Sequence, residues 1–138
     1  MITNMRTLSR IIIHHSASPR ETTTLEDIRG WHKSRGFTDI GYHYIIEGDG
    51  TIREGRPINT VGAHCRGHNR TSIGICVVGN NLEAEHKWTG SQVMRLRLLL
   101  GRLKDECGTL AIVGHRDVPG AVTLCPGLDV RTLLGLGD

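Results

Sequence analysis

Leu8-Ser9-Arg10-Ile11-Ile12-Ile13-His14-His15 turns from an apolar, β-branched run into two histidines within eight residues. Successive isoleucines lose side-chain freedom in a helix and pack well on a pleated surface, so the run reads as a strand. It does not alternate with polar residues, which marks a short strand buried on both faces. Two further runs share this character. Ile73 to Val78 is closed by Gly79-Asn80-Asn81, and Leu110 to Val113 leads into Gly114-His115-Arg116-Asp117-Val118-Pro119.

Helical patterns lie between these runs. Thr24 with Asp27 three residues on forms a capping-box arrangement, Leu25, Ile28, Trp31 and His32 fall on one face, and Gly36 ends the pattern after Arg35. Thr89 and Gln92 open a second helix with Val93, Leu96, Leu100 and Leu103 on its apolar face, and Gly108 caps its end. Asp129 caps a last short helix that ends near Leu134. Tyr42 to Glu47 and Thr51 to Glu54 flank Gly48-Asp49-Gly50 as a hairpin. The order β-α-β-β-β-α-β-α predicts an α/β fold: a three-layer domain with a mixed central β-sheet flanked by helices, spanning 1–138 as one domain.

With 138 residues the chain can bury a substantial core. It has no apolar run of about 18 residues, so no membrane span is expected. Met1 to Arg10 is polar and lacks the apolar centre of a signal peptide, so the reading is synthesis in the cytoplasm without a cleaved leader. A net charge of +3 without a dense basic stripe argues against a nucleic-acid partner. The even set Cys65, Cys76, Cys107 and Cys125 invites a disulfide reading, but without a secretory signal reduced thiols are expected. Cys76 and Cys107 read as small core residues.

Chemistry-bearing residues gather at strand ends. His14 and His115 both stand at the C-terminal ends of predicted strands, where sites collect in open α/β sheets. Cys125, between Leu124 and the turn Pro126-Gly127, is a third candidate ligand ten positions beyond His115. Taken singly, each histidine reads first as a hydrogen-bonded strand-end residue, and only Cys125 in the same neighbourhood turns the balance; His32 and His86 read as surface or packing residues. A His-His-Cys set with one position open to water is a catalytic rather than a structural zinc arrangement, and its donors favour zinc over magnesium or calcium. A thiol hydrolase using Cys125 or Cys65 is the rival, weakened because neither opens a helix that would lower its pKa. The absence of H-E-x-x-H and G-x-S-x-G removes two other hydrolase classes. Gly55 to Arg70 shows no periodicity and reads as a long polar loop carrying His64, Arg66, His68 and Asn69.

Several segments, in order, carry a resemblance. They are Ile12-Ile13-His14-His15-Ser16-Ala17, Trp31-His32-Lys33, Asp39-Ile40-Gly41-Tyr42-His43-Tyr44, Gly48-Asp49-Gly50-Thr51-Ile52, Val61-Gly62-Ala63-His64, Asn69-Arg70-Thr71-Ser72-Ile73-Gly74-Ile75, and Gly114-His115-Arg116-Asp117-Val118 followed by Cys125-Pro126-Gly127. From Ile11 to Asp129 the chain resembles the zinc-dependent N-acetylmuramoyl-L-alanine amidases, which include phage lysozyme-type amidases and peptidoglycan recognition proteins. The resemblance implies zinc held by His14, His115 and Cys125, with His15 the rival for the first place. Alternation along a strand lets only one of that pair face the metal. It implies catalytic roles for Tyr42 and Thr123, the latter matching the recognition-protein branch where phage enzymes carry lysine. It also implies a substrate groove lined by His64, Arg66 and Asn69. Cys76 stands where some relatives place a glutamate base, so the general base is unassigned, and Asp117 is a candidate partner for His115.

The implied reaction is hydrolysis of the amide between the muramic acid lactyl group and L-alanine of peptidoglycan. Two other readings accompany it: a non-catalytic peptidoglycan-binding module, and a regulatory partner of RNA polymerase. Retention of Cys125 and Tyr42 favours the enzyme, since non-catalytic recognition proteins of the family typically lack the cysteine. A chain this small without a wall-binding module reads as a monomeric phage or prophage endolysin that reaches the cell wall after release.

Overall fold

The computed structural model describes residues 6–137; Met1–Met5, on which part of the leader reading rests, and Asp138 lie outside the described residues. The five strands are β1 (Arg10–His15), β2 (Tyr44–Ile46), β3 (Ile52–Glu54), β4 (Ser72–Val77) and β5 (Ala111–Gly114). The helices are α1 (Leu25–Ser34), α2 (Gly90–Cys107) and α3 (Val130–Leu133). Strand order is β3-β2-β4-β1-β5, with β2, β4, β1 and β5 parallel to their neighbours and β3 antiparallel to β2. The mixed sheet and the element order are those predicted.

Side-chain alternation along β1 divides the core. Ile11 and Ile13 pack with Val77, Leu96, Leu99 and Leu103 on the α2 and α3 side. Ile12 faces the other way, towards Cys65 and Val118. On that same side α1 lays Leu25 and Ile28 against Ile45, Cys76 and Val78. Helices thus cover both faces, while the end of β1 is left to the loops.

The helix starts follow their capping chemistry. Thr24 and Asp27 exchange side-chain-to-backbone hydrogen bonds across the first turn of α1, and Thr89 and Gln92 do the same in α2. Gln92 is fully buried, and its amide donates to the carbonyls of Glu47 (3.2 Å) and Val78 (2.8 Å), tying α2 to the ends of two strands.

Three expectations differ from the structure. The run around Leu110 to Val113 is not a buried strand: β5 lies at the sheet edge, with Ala111 exposed and Ile112 and Val113 half-buried. Trp31 does not join the apolar face of α1 but is 47% exposed. In α2 the face turns slightly, so Leu99 is buried beside Leu96 while Val93 is only partly covered.

Candidate metal centre and cleft

β1 and β5 are parallel neighbours in register from Arg10↔Ala111 to Ile13↔Gly114, so both chains emerge at one end of the sheet. His14 is the penultimate residue of β1, and His115 begins a one-turn 3-10 helix directly after β5. Their ring centroids are 4.8 Å apart. Asp117 stabilises this turn through the backbone, its carboxylate accepting from the Gly114 N–H at 3.3 Å.

Cys125 arrives from the following loop and is bonded on both sides of its backbone. Its N–H donates to Thr123 Oγ1 at 3.1 Å, and its carbonyl accepts from Arg116 N–H at 2.8 Å. The thiol then stands 3.8 Å from His14 Nδ1. One donor atom each from His14, His115 and Cys125 lies within 4.8 Å of the others, a group that could hold a metal ion. His15 points to the other face, where its Nδ1 accepts from the Asn81 N–H at 3.2 Å.

The electrostatics fit a cation. Burial, then the neighbouring histidines His64 and His115, hold His14 well below the ordinary histidine range, so its imidazole is neutral. Burial also lowers His115. The Cys125 thiol is pushed up to about 11 by burial, against a smaller opposing effect of the His15 backbone. Two neutral imidazoles and a half-buried, protonated thiol carry no charge among themselves, and a bound divalent cation is what would draw the thiol into its thiolate form.

A cavity of about 650 Å³ opens over this group, lined by His14, Tyr42, His64, Arg66, Asn69, His115 and Cys125 together with His32, Arg35 and Phe37. Tyr42 precedes β2 and its ring lies 5.0 Å from that of His14. Burial first, then the Cys76 and Cys125 thiols, push its phenol well above the usual tyrosine range, so it keeps its proton and can donate. Arg66 is exposed at the rim, whereas Asn69 shapes the loop: its Oδ1 accepts from the N–H groups of His64 and Cys65, each at 2.9 Å. His64 turns towards the metal group, its Nδ1 2.9 Å from His14 Nε2. Thr123 does not line the cavity; its hydroxyl oxygen serves the Cys125 backbone.

The rival nucleophile Cys65 and the strand residue Cys76 are both buried, and all four cysteines are free thiols. Burial drives Cys76 well above the ordinary thiol range. Sequence reasoning missed His32 as a cleft residue. Its Nδ1 accepts from the Gly41 N–H at 2.8 Å, which fixes its ring beside Tyr42 with centroids 5.4 Å apart. The available signal was its place one residue after Trp31 in a motif of the resemblance.

The family described as N-acetylmuramoyl-L-alanine amidase matches residues 4–128. The chain belongs to this family. Among phage relatives of the amidase, the endolysin of Klebsiella phage KP32 is 38% identical over 134 residues, covering 94% of this chain and 87% of the relative. Among solved structures, the endolysin amidase LysCS from Clostridium intestinale superposes with a TM-score of 0.83 at 33% identity, covering 97% of this chain and 87% of that one. The ectodomain complex of peptidoglycan recognition proteins LCa and LCx bound to tracheal cytotoxin gives 0.76 at 29% identity, over 86% and 75% of the two chains. The two solved structures share this fold, one an endolysin amidase and the other a pair of peptidoglycan recognition proteins.

Proposed function

We propose that this N-acetylmuramoyl-L-alanine amidase is zinc-dependent, acts as a phage-type endolysin and works through His14, His115, Cys125 and Tyr42. The convergence of two neutral imidazoles and a half-buried thiol at the head of an open cavity carries the reading. His14, His115 and Cys125 would hold the zinc. When bound, zinc supplies an activated water and a Lewis acid for the substrate carbonyl.

The chain's own residues then have distinct tasks. The Tyr42 phenol, kept neutral, donates a hydrogen bond to the carbonyl oxygen as that atom gains charge. Thr123 holds the ligand loop, its hydroxyl oxygen accepting from the Cys125 N–H. Arg66 offers a cation at the cleft rim for the carboxylates of a stem peptide, while Asn69 and His64 shape the wall. Cys76, buried and protonated, is not assigned the role of general base. The substrate is the lactyl–L-alanine amide of peptidoglycan, met by a monomer that folds as one domain and acts at the cell wall.

Purified protein is expected to bind about one zinc per chain and to release free L-alanine amino termini from bacterial walls. Cys125→Ala is expected to lose zinc and activity together; full activity in that variant would remove the site as described.

A further inference from the structure

We propose that His64 is a positioning residue for the metal site, accepting the His14 Nε2–H on its Nδ1 and so leaving His14 Nδ1 bare to ligate. The inference rests on His14 as a ligand and adds which of its nitrogens is available and why.

The direction of each hydrogen bond follows from one fixed end. Ser72 Oγ lies 2.7 Å from the His68 carbonyl, which can only accept, so the hydroxyl proton is committed there. Ser72 Oγ also lies 3.3 Å from His64 Nε2, and an oxygen whose proton is already engaged must accept from that nitrogen. A neutral imidazole with hydrogen on Nε2 has a lone pair on Nδ1. That lone pair sits 2.9 Å from His14 Nε2, which must therefore carry the hydrogen. His14 is left with a bare Nδ1, the atom 3.8 Å from Cys125 Sγ. A backbone carbonyl at one end thus sets the tautomer at the other. Metal-binding histidines usually donate their second nitrogen to a carboxylate, a carbonyl or water. Here the acceptor is a second imidazole with an orienting partner of its own.

The surroundings are shaped for that ring. A Cβ at Gly74 would lie 2.6 Å from the His64 ring, and one at Gly62 would lie 2.8 Å from it. Gly74 pairs with Ile12 and the neighbouring Cys76 with His14, so a residue without a side chain opens a slot beside the ligand on the same face of the sheet. The backbone at His64 is held in turn by Asn69 Oδ1 at 2.9 Å. His64 is built into the wall rather than left to follow a substrate.

Two measurements on the full chain test this. Long-range proton–nitrogen correlation spectra of the metal-free protein at neutral pH are expected to show hydrogen on Nε2 of both His14 and His64. Hydrogen on Nδ1 of His14 would overturn the assignment, and this result needs no variant. Zinc affinity, read by competition with a chromophoric chelator, is expected to fall about tenfold or more in His64→Ala. His64→Asn, whose amide oxygen can replace the Nδ1 acceptor, is expected to recover most of that loss, and Gly74→Ala to reproduce it with His64 intact. Unchanged affinity in His64→Ala, beside lost affinity in Cys125→Ala, would overturn the role of His64 alone. Failure of the unaltered chain to bind zinc would overturn the metal site itself.

Discussion

Tyr42 and Thr123 stand beside the same His14–His115–Cys125 group, and their proposed roles differ. The Tyr42 phenol reaches the cavity, so Tyr42→Phe is expected to bind zinc normally and to lower kcat by about 10²–10³, the usual worth of one oxyanion donor. Equal turnover in the two proteins would remove the phenol from the chemistry. Thr123 is bonded to the backbone of the proposed ligand Cys125, so Thr123→Val is expected to weaken zinc binding and activity together, read by metal titration beside turnover. At this scale the sequence was informative where a period decides the outcome: alternation separates His14 from His15, and the structure places them on opposite faces. It was silent on the His14–His64 contact, which joins residues 50 positions apart through a slot at Gly74. No local pattern records a space left open on one strand for a ring from another loop.

Among the elements, α2 shows how one residue serves two levels of structure. Gln92 closes the capping box with Thr89 and, fully buried, donates to the Glu47 and Val78 carbonyls. Gln92→Leu is expected to cost about 1–3 kcal/mol in urea unfolding, because it removes the box partner and strands a buried carbonyl. A loss no larger than a few tenths would show that water replaces the amide. Both capping boxes were legible because their chemistry lies within four residues. The edge position of β5 was not, since Ala-Ile-Val reads alike in a central or an edge strand and only the topology decides. Trp31 fell on the predicted apolar stripe of α1, yet that helix covers the sheet with Leu25 and Ile28 and leaves the indole outside.

Over the whole molecule, the loops that build the site depend on buried histidines being neutral. His43 is 1% exposed, its Nδ1 accepts from the β4 residue Gly74 at 3.0 Å and its Nε2 lies 2.7 Å from the Thr60 carbonyl. Burial lowers it from the ordinary 6.5 to about 4, against a smaller upward effect of the Thr60 bond. The unfolded chain therefore binds more protons than the folded one between these values. The stabilisation is complete above pH 6.5, is lost as pH falls through that window, and amounts to roughly 3 kcal/mol from this group. The urea midpoint of the metal-free protein is expected to drop between pH 7 and pH 4.5, and a flat midpoint would contradict a neutral buried His43. The proposed reaction is zinc-dependent hydrolysis of the lactyl–L-alanine amide. It is tested most directly by mass spectrometry of digested bacterial walls with zinc quantified in the same sample: the account predicts stem peptides with free L-alanine amino termini from protein carrying about one zinc per chain, and new reducing sugar ends, or undiminished release after zinc is removed, would contradict it.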